Sequence, residues 1–372
     1  MIKNAKQIIT SLIVLFSIAV LFWPAQGFAA DKEKVVNVYF WFDYLPTSVI
    51  ESFEKETGIK VVLDTFDTLS ALEAKLLAGK SGYDVVVSAG AQAERLLKAD
   101  TFLKLDKSKL PNYGNLDPVI LAGLDKHDPG NNYGVPYMWG TTGIAFNEEL
   151  VRKVLPNADL RSLDLFFKPE NMSKLAKYGV AFLDEPTEVI PIALNYLGLP
   201  HHSTMKADLE KAKGLLDSVR PYIRHFSTGA MIEELATGEL CAAMTYNGEA
   251  GLASMRAEEL KNGTYIDYSI PKEATLMWMD FLAIPEDAKH ADNAHKLLNF
   301  LMRPKEIAKV TNEFWYANGN AAALEHVLDD VKGDPDIYPP KEILEKLFPD
   351  TALAAKDRKR YNRMWTNYKA KR

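Results

Sequence analysis

The sequence SIPKEATLMWMDFLAIP, from Ser269 to Pro285, carries the pattern from which the fold prediction starts. Its first three residues are typical of the end of one strand, and residues 277–284 are typical of the next. Trp278 and Asp280 are two positions apart in the second strand, so their side chains should point to the same face of the sheet. An aromatic ring beside a carboxylate can bind a cation that has an apolar body. The alternative is a core tryptophan beside an aspartate that forms a salt bridge.

Before this stretch, the chain alternates between predicted strands and predicted helices. Three strands are predicted in the first part of the chain, at residues 35–41, 59–66 and 83–87. The helix after the second strand should begin with a capping box of Ser70 and Glu73. This alternation indicates an α/β protein with parallel strands. The chain should cross into a second domain near residue 140 and cross back at residues 270–284.

The first 29 residues have the layout of a secretory signal peptide. Lys3 and Lys6 precede an apolar stretch, and a site of small residues ends at Ala29. Removal of this segment changes the formal net charge from −6 to −8, because it contains two lysines and no acidic residue. A mildly acidic surface argues against nucleic-acid binding and favours cationic partners. Cys241 is the only cysteine, which excludes an intramolecular disulfide.

Several short motifs follow one another in an order that is typical of one protein family. They are FEKETGIKVV at 53–62, LDKSKLP at 105–111, PYMW at 136–139, TTGI at 141–144, LNYLG at 194–198, SIPKE at 269–273 and YAN at 316–318. In these motifs the chain resembles the periplasmic polyamine-binding proteins of bacterial ABC importers, especially the putrescine and spermidine receptors. The resemblance implies a type II periplasmic-binding-protein fold, in which two α/β lobes are joined by a hinge and enclose a ligand cleft.

Lobe boundaries follow from the resemblance together with the predicted crossings. Residues 1–29 are the expected signal peptide, removed on export to the periplasm. The N-terminal lobe should consist of residues 30–140 with 271–330, and the C-terminal lobe of residues 141–270 with 331–372. The resemblance implies a monomer without a cofactor, whose partners are a polyamine and an inner-membrane ABC permease.

The resemblance also assigns ligand-binding roles to individual residues. The assigned positions are Trp41, Asp43, Tyr44, Glu188, Tyr246, Glu249, Trp278, Asp280 and Tyr316. Asp43 and Asp280 would hold one ammonium end of the ligand, and Glu249 or Glu188 would hold the other. The aromatic rings would enclose the methylene chain between the two ends.

Three positions depart from the family pattern. Phe42 stands where a polar residue is usual, and the segment Ala89 to Ala91 lacks the usual serine. The usual Trp-x-Gly-Asp motif reads YNGE at residues 246–249, which keeps the aromatic residue and lengthens the acid by one methylene. Because the first two changes remove hydroxyl groups, the pocket is expected to prefer a ligand other than putrescine.

Without the resemblance, the same residues have structural interpretations. Tyr246 and Tyr316 could be packing residues, Glu188 could be an acid at a helix N-terminus, and Asp43 could cap a helix. His201 and His202 are adjacent, as in a strand where neighbours face opposite ways, and no cysteine or third histidine is near, so no metal site is expected.

Two other functions remain open at this point. One is an exported hydrolase with Asp280 and Glu249 as paired catalytic acids, although the chain lacks a nucleophile elbow or a metal-binding motif. The other is a receptor of the same fold for another cationic solute, such as an amino acid or a guanidino compound. A ligand carboxylate would require an arginine, and none is adjacent in sequence to the assigned residues. A non-enzymatic polyamine receptor is therefore the leading hypothesis.

Overall fold

The computed structural model describes residues 33–42, 44–66 and 68–371. The predicted signal peptide at residues 1–29 lies outside the described residues, and so does Asp43. The chain from Val35 onward packs as one unit. None of the described helices is both long and apolar enough to span a bilayer.

A mixed sheet forms the centre of the described part of the chain. Its strands are β1 (Val35–Trp41), β2 (Lys60–Phe66), β3 (Val85–Ala89), β4 (Gly134–Phe146), β5 (Val180–Leu183), β6 (His225–Ser227), β7 (Ala242–Tyr246), β8 (Asp267–Ser269), β9 (Leu276–Ala283), β10 (Ala317–Asn318) and β11 (Phe348–Pro349). Their main order across the sheet is β2-β1-β3-β9-β4-β7-β5-β6. The short strands β8 and β10 pair with β4, and β11 pairs with β9.

Helices connect these strands. They are α1 (Thr47–Thr57), α2 (Leu69–Leu77), α3 (Gly90–Leu97), α4 (Pro118–Leu124), α5 (Glu148–Val154), α6 (Asp164–Phe167), α7 (Pro169–Leu175), α8 (Pro186–Tyr196), α9 (Lys206–Val219), α10 (Met231–Ala236), α11 (Asn247–Leu260), α12 (Ala291–Leu301), α13 (Pro304–Phe314), α14 (Asp329–Lys332), α15 (Lys341–Leu344) and α16 (Ala355–Lys369). The structure therefore confirms the predicted α/β class.

The first three strands are parallel, as their alternation with helices predicted. Helix α1 follows Pro46 and ends at Gly58, whose φ of 66° is a left-handed conformation that glycine adopts without steric cost. Its buried residues, Val49 and Phe53, belong to the same core as the inward-facing residues of β1. The local order of strand, helix and strand is thus stabilised by apolar burial on one face of each element.

Two long strands link the parallel groups at the two ends of the sheet. The first part of β4 pairs with β9, where Gly134 lies opposite Ala283 and Thr141 lies opposite Met277. The last part of β4 pairs with β7 and β8. The predicted crossings near residues 140 and 270–284 thus fall in these two strands or just before β9. The exact lobe boundaries given above stay a prediction.

The predicted capping box of α2 is wrong. The backbone N–H of Ala71 donates to the Thr68 hydroxyl at 3.2 Å, so Thr68 is the N-cap residue and the helix begins before Ser70. Glu73 does not reach back to the helix start, because it pairs with Arg95 and Arg358 from more distant segments. Glu73 therefore forms tertiary ion pairs instead of a local capping hydrogen bond.

Thr68→Ala is expected to lower the free energy of unfolding by about 1 kcal/mol, because it removes the side-chain acceptor at the start of α2. Ser70→Ala, an exposed substitution in the same turn, should change it by less than about 0.5 kcal/mol. Urea denaturation of the two variants measures both values. Equal losses would contradict the assignment of Thr68 as the cap.

Candidate functional site

Four of the predicted aromatic residues form a continuous row of rings, called the ring wall below. Tyr44 and Tyr316 have ring centroids 5.9 Å apart, Tyr316 and Trp278 are 5.1 Å apart, and Trp278 and Tyr246 are 5.7 Å apart. Each contact is edge-to-face, an arrangement that aromatic pairs prefer. Four segments that are distant in sequence therefore build one apolar surface.

Strand β9 places Trp278 and Asp280 in the site. Trp278 lies opposite Gly140 of β4, and Asp280 lies opposite Ala89 at the end of β3. A Cβ atom at Gly140 would be 2.6 Å from Cζ2 of the indole, so only glycine leaves room for the ring there. The observed strand has the two-residue period that predicted a common face for these side chains, and their shared ligand-binding role stays a prediction.

The YNGE segment contributes a ring and a carboxylate from the junction of β7 and α11. Tyr246 is the last residue of β7, and Glu249 lies in the first turn of α11. Between them, a Cβ atom at Gly248 would be 2.3 Å from Cζ of Tyr316. The glycine thus lets Tyr316 pack against the helix start and join the ring wall.

One buried carboxylate lies at the Tyr44 end of the ring wall. Asp280 is 6% exposed and forms no ion pair with a basic side chain in the described part of the chain. Burial raises the pKa of Asp280 to about 7 and the charge of Asp350 adds to the rise, whereas Tyr44 and Trp41 oppose it. The Tyr44 hydroxyl lies near this carboxylate, since each group raises or lowers the pKa of the other. Neither that hydroxyl nor the indole N–H of Trp278 has a hydrogen-bond partner among the described residues.

A second carboxylate lies at the Tyr246 end. Glu188, in the first turn of α8, accepts hydrogen bonds from the Tyr246 hydroxyl at 2.9 Å and from the Thr142 hydroxyl. Burial raises the pKa of Glu188 to about 8; its two hydrogen bonds oppose the rise, and the carboxylates of Glu185 and Asp350 add to it. No basic side chain of the described residues pairs with it. The ring wall therefore has an uncompensated acid at each end.

The third predicted carboxylate, Glu249, lies beside the ring wall. It is 7% exposed and accepts a hydrogen bond from the Thr245 hydroxyl. Burial raises its pKa, and hydrogen bonds from Thr245 and the backbone of Gly229 oppose the rise. Its charge raises the pKa of the hydroxyl groups of both Tyr246 and Tyr316, in each case after the larger effect of burial. Glu249 therefore lies near the hydroxyl groups of both rings.

The loop after β1 contributes to the edge of the site. Trp41 is half-buried, packs against Phe66 with ring centroids 4.4 Å apart, and lies near Asp280. Asp43 is outside the described residues, so its predicted role stays a prediction. Phe42 is 67% exposed, so this departure from the family pattern directs a ring to solvent instead of filling the site.

Two acidic residues near the site were not predicted. Glu185 is the N-cap of α8, and its spacing from Glu188 in a Glu-x-x-Glu pattern was an available signal. Asp350 follows β11 and influences both Asp280 and Glu188. No local pattern marks Asp350, because β11 has two residues and the backbone partner of the carboxylate is 259 positions away in sequence.

Among the described residues, no cluster of three or more histidine, cysteine or acidic side chains could hold a metal ion. His201 and His202 lie in a turn, which corrects their predicted placement in a strand. The His201 ring stacks on Phe348 with centroids 4.3 Å apart. His201 therefore has a packing role against Phe348.

The arrangement suits a molecule with an apolar body and positive groups at its ends. Rings attract ammonium groups through their faces and exclude water from a methylene chain. Buried acids without basic partners are costly, so a cation that supplies their missing counter-charges is bound favourably.

Comparison with known proteins shows close similarity along most of the chain. Residues 48–339 match the family profile of bacterial extracellular solute-binding proteins. The chain is 45% identical over 343 residues to the putrescine-binding periplasmic protein SpuD of Pseudomonas aeruginosa (strain UCBPP-PA14), covering 92% of this chain and 93% of the relative. It is 44% identical over 346 residues to the putrescine-binding periplasmic protein PotF of Escherichia coli (strain K12), covering 92% and 94%.

A solved structure shows the same architecture. The putative spermidine/putrescine ABC transporter from Listeria monocytogenes matches with a TM-score of 0.80 and 30% identity, over 91% of this chain and all of the solved chain. This match confirms the predicted fold class of two α/β lobes joined by a hinge.

Proposed function

Because the chain belongs to the bacterial extracellular solute-binding proteins, we propose that it is a periplasmic receptor that captures a polyamine between its two lobes and delivers it to an ABC importer. Two of its relatives are named putrescine-binding proteins. The observation that carries the proposal is the ring wall with an uncompensated buried carboxylate at each end. A diamine has the complementary pattern of two ammonium groups joined by a methylene chain.

The energetics favour such a ligand. An ammonium–carboxylate pair at about 4 Å contributes roughly 4 kcal/mol of Coulomb attraction in a partly buried site, before desolvation is subtracted. Each ring face adds about 0.5 to 2 kcal/mol. An ammonium group that met no carboxylate would lose its hydration without compensation. The distance between the two acids therefore selects the length of the ligand.

We assign the ligand contacts as follows. Asp280, with Asp43, binds one ammonium group, and the unpaired Tyr44 hydroxyl lies beside it. Glu188, with Glu249, binds the other end of the ligand. The ring wall and Trp41 enclose the chain between these ends. In this assignment the deprotonation of the two end carboxylates accompanies binding, since their pKa values lie near or above neutrality in the free protein.

Delivery to a permease requires a difference between the free and the liganded receptor. A ligand that contacts both lobes stabilises the closed arrangement, because only that arrangement offers both sets of contacts. The closed pair of lobes then presents the surface that the inner-membrane permease binds. The signal peptide at residues 1–29 would direct the protein to the periplasm, where it meets its ligand.

Another cationic solute is the second candidate, and the departures at Phe42 and residues 89–91 favour it. They remove hydroxyl groups on the N-terminal side of the site without removing a carboxylate. An amino acid is the less suitable ligand, since its carboxylate would require an arginine and none is adjacent in sequence to the assigned residues. A polyamine of different length or a guanidino compound keeps the cationic ends that the acids require.

A ligand panel tests the proposal. The protein lacking residues 1–29 is unfolded and refolded to remove carried-over ligand, and its thermal transition is measured with putrescine, cadaverine, agmatine, spermidine, spermine and amino acids. A ligand at 100 times its dissociation constant should stabilise the fold by about 2.7 kcal/mol. Stabilisation by amino acids alone, or turnover of glycosides or esters, would count against a polyamine receptor.

A further inference from the structure

Asp350 is held by two groups from the N-terminal part of the chain. Its Oδ2 atom accepts a hydrogen bond from the backbone N–H of Ala91 at 2.8 Å, and its Oδ1 atom lies 3.2 Å from Nε2 of His127. Helix α3 has Ala89 at its N-cap position and no side-chain cap of its own. The distant carboxylate therefore supplies the acceptor and the negative charge that a helix start favours.

The segment that carries Asp350 is also attached to the part of the chain that follows β5. Helix α16, which follows it, donates side-chain hydrogen bonds to residues 184–204: Trp365 to Asp184 at 2.7 Å, Tyr361 to Ser203 at 2.9 Å and Arg360 to Thr204 at 2.6 Å. With the lobe boundaries proposed above, Asp350 belongs to the C-terminal lobe, and Ala91 and His127 belong to the N-terminal lobe. Arg358 bridges the same lobes through Glu73 of α2.

His127 is enclosed between two acids. Its side chain is 8% exposed, and Gly90 packs so closely that a Cβ atom there would be 2.7 Å from Cδ2 of the imidazole. Asp350 faces one ring nitrogen, and Glu94 of α3 faces the other at 3.7 Å. Burial disfavours the charged imidazole, but Asp350 and Glu94 outweigh it and raise the pKa of His127. These two are the titratable groups that face the imidazole among the described residues.

We propose that His127 is a positioning residue for ligand retention: through Asp350 it holds the two lobes closed around a bound cation, and this lock weakens when the imidazole is neutral. The proposal rests on the function proposed above. Asp350 is well placed for this role because it lies near the carboxylates at both ends of the ring wall. A charged imidazole adds the Coulomb attraction of an ion pair to its hydrogen bond with the Asp350 carboxylate, and the neutral imidazole loses this attraction.

The rate of ligand dissociation tests the proposal. Putrescine and spermidine complexes are mixed with excess competitor in a stopped-flow instrument, and tryptophan fluorescence follows release. His127→Ala should accelerate dissociation about tenfold and leave association within about twofold, because His127 does not belong to the ring wall that the ligand contacts. His127→Gln places an amide N–H near the position of Nε2 and should restore most of the slow dissociation.

The pH profile separates the lock from a general structural role. Dissociation from the wild type should accelerate about threefold from pH 6 to pH 8.5 as His127 loses its proton, because the donor loses its charge. His127→Gln should show no such acceleration. The site carboxylates do not interfere, because bound ammonium groups keep them ionised throughout. His225→Gln is the matched control, since His225 pairs with Glu234 at 2.6 Å in another part of the chain; it should behave as the wild type.

An unchanged dissociation rate in His127→Ala, or the same pH profile in His127→Gln and the wild type, overturns the lock. If the wild type binds neither amine, the function proposed above is in doubt and the lock is judged separately by small-angle X-ray scattering. His127→Ala should then increase the radius of gyration of the free protein, and an unchanged radius overturns the lock.

Discussion

Asp280→Asn is expected to weaken putrescine or spermidine binding by about 100-fold or more. The substitution keeps the shape of the side chain and removes the charge that compensates one ammonium group. Truncating one partner of a buried charge pair costs about 2–5 kcal/mol, and much of this cost comes from the partner that is left unpaired. Isothermal titration calorimetry of the wild type and the variant measures the ratio of dissociation constants.

Asp336→Asn is the matched control for this substitution. Asp336 is a half-buried acid whose pKa is raised to about 6 by desolvation, but it accepts a hydrogen bond from the Ile270 backbone outside the ring wall. Its substitution should change the affinity less than about threefold. If the dissociation constant of Asp280→Asn is within tenfold of the wild-type value, Asp280 is not a ligand contact.

Asp280→Asn should also stabilise the ligand-free protein at alkaline pH. Since burial raises the pKa of Asp280 to about 7, above its value in the unfolded chain, the folded state holds the proton more tightly and loses stability as the pH rises through this range. Asparagine does not ionise and avoids this loss. The gain in unfolding free energy should be larger at pH 8 than at pH 5 by roughly 3 kcal/mol. Urea denaturation at both pH values measures it, and a gain that did not depend on pH would contradict the assigned titration.

Affinity for a diamine is expected to fall steeply when the pH is lowered from 8 to 6. Both end carboxylates must be ionised to pair with ammonium groups, and the pKa values of the free protein are about 7 for Asp280 and about 8 for Glu188. Amine groups remain charged throughout this range, so only the protein titrates. By linkage, Asp280 alone should weaken binding about tenfold and Glu188 about 50-fold.

Calorimetry in buffers with different ionisation enthalpies tests this prediction by counting protons. Near pH 6, binding should release almost two protons per ligand, because both acids are protonated in the free protein and ionised in the complex. Glu188→Gln should reduce this release by about one proton and flatten the pH dependence of the affinity. Equal affinity at both pH values without proton release would show that the acids are already ionised before binding.

Local patterns were sufficient for the main elements around the site. The run VVNVYFW predicted β1 with its observed bounds, because an apolar segment of this length suits a buried strand. Pro46 and Gly58 predicted the two ends of α1. Proline favours helix starts, and glycine readily adopts the left-handed conformation that ends helices. The two-residue period of strands brought Trp278 and Asp280 to one site.

The family resemblance supplied what these patterns did not. Nothing local distinguishes Tyr246 or Tyr316 from ordinary packing residues, and only their match to a known motif predicted that they would meet Trp278. The structure places all three in the ring wall. Ser70 shows the opposite case, because Thr68 offers a similar hydroxyl two positions earlier and the extended backbone at that residue made it the cap.

By itself, then, the sequence determined the strands and helices and the pairing of an aromatic residue with an acid in β9, because these depend on periodicity and on the conformational preferences of single residues. Only the tertiary structure decided the chemistry of the site. Asp350 follows the short strand β11 and is held near Asp280 and Glu188 by its hydrogen bond from the backbone of Ala91. The pKa values of Asp280 and Glu188 are raised mainly by burial, which segments far apart in the chain provide. Burial and charge proximity are properties of packing in three dimensions, and no local window of sequence contains them.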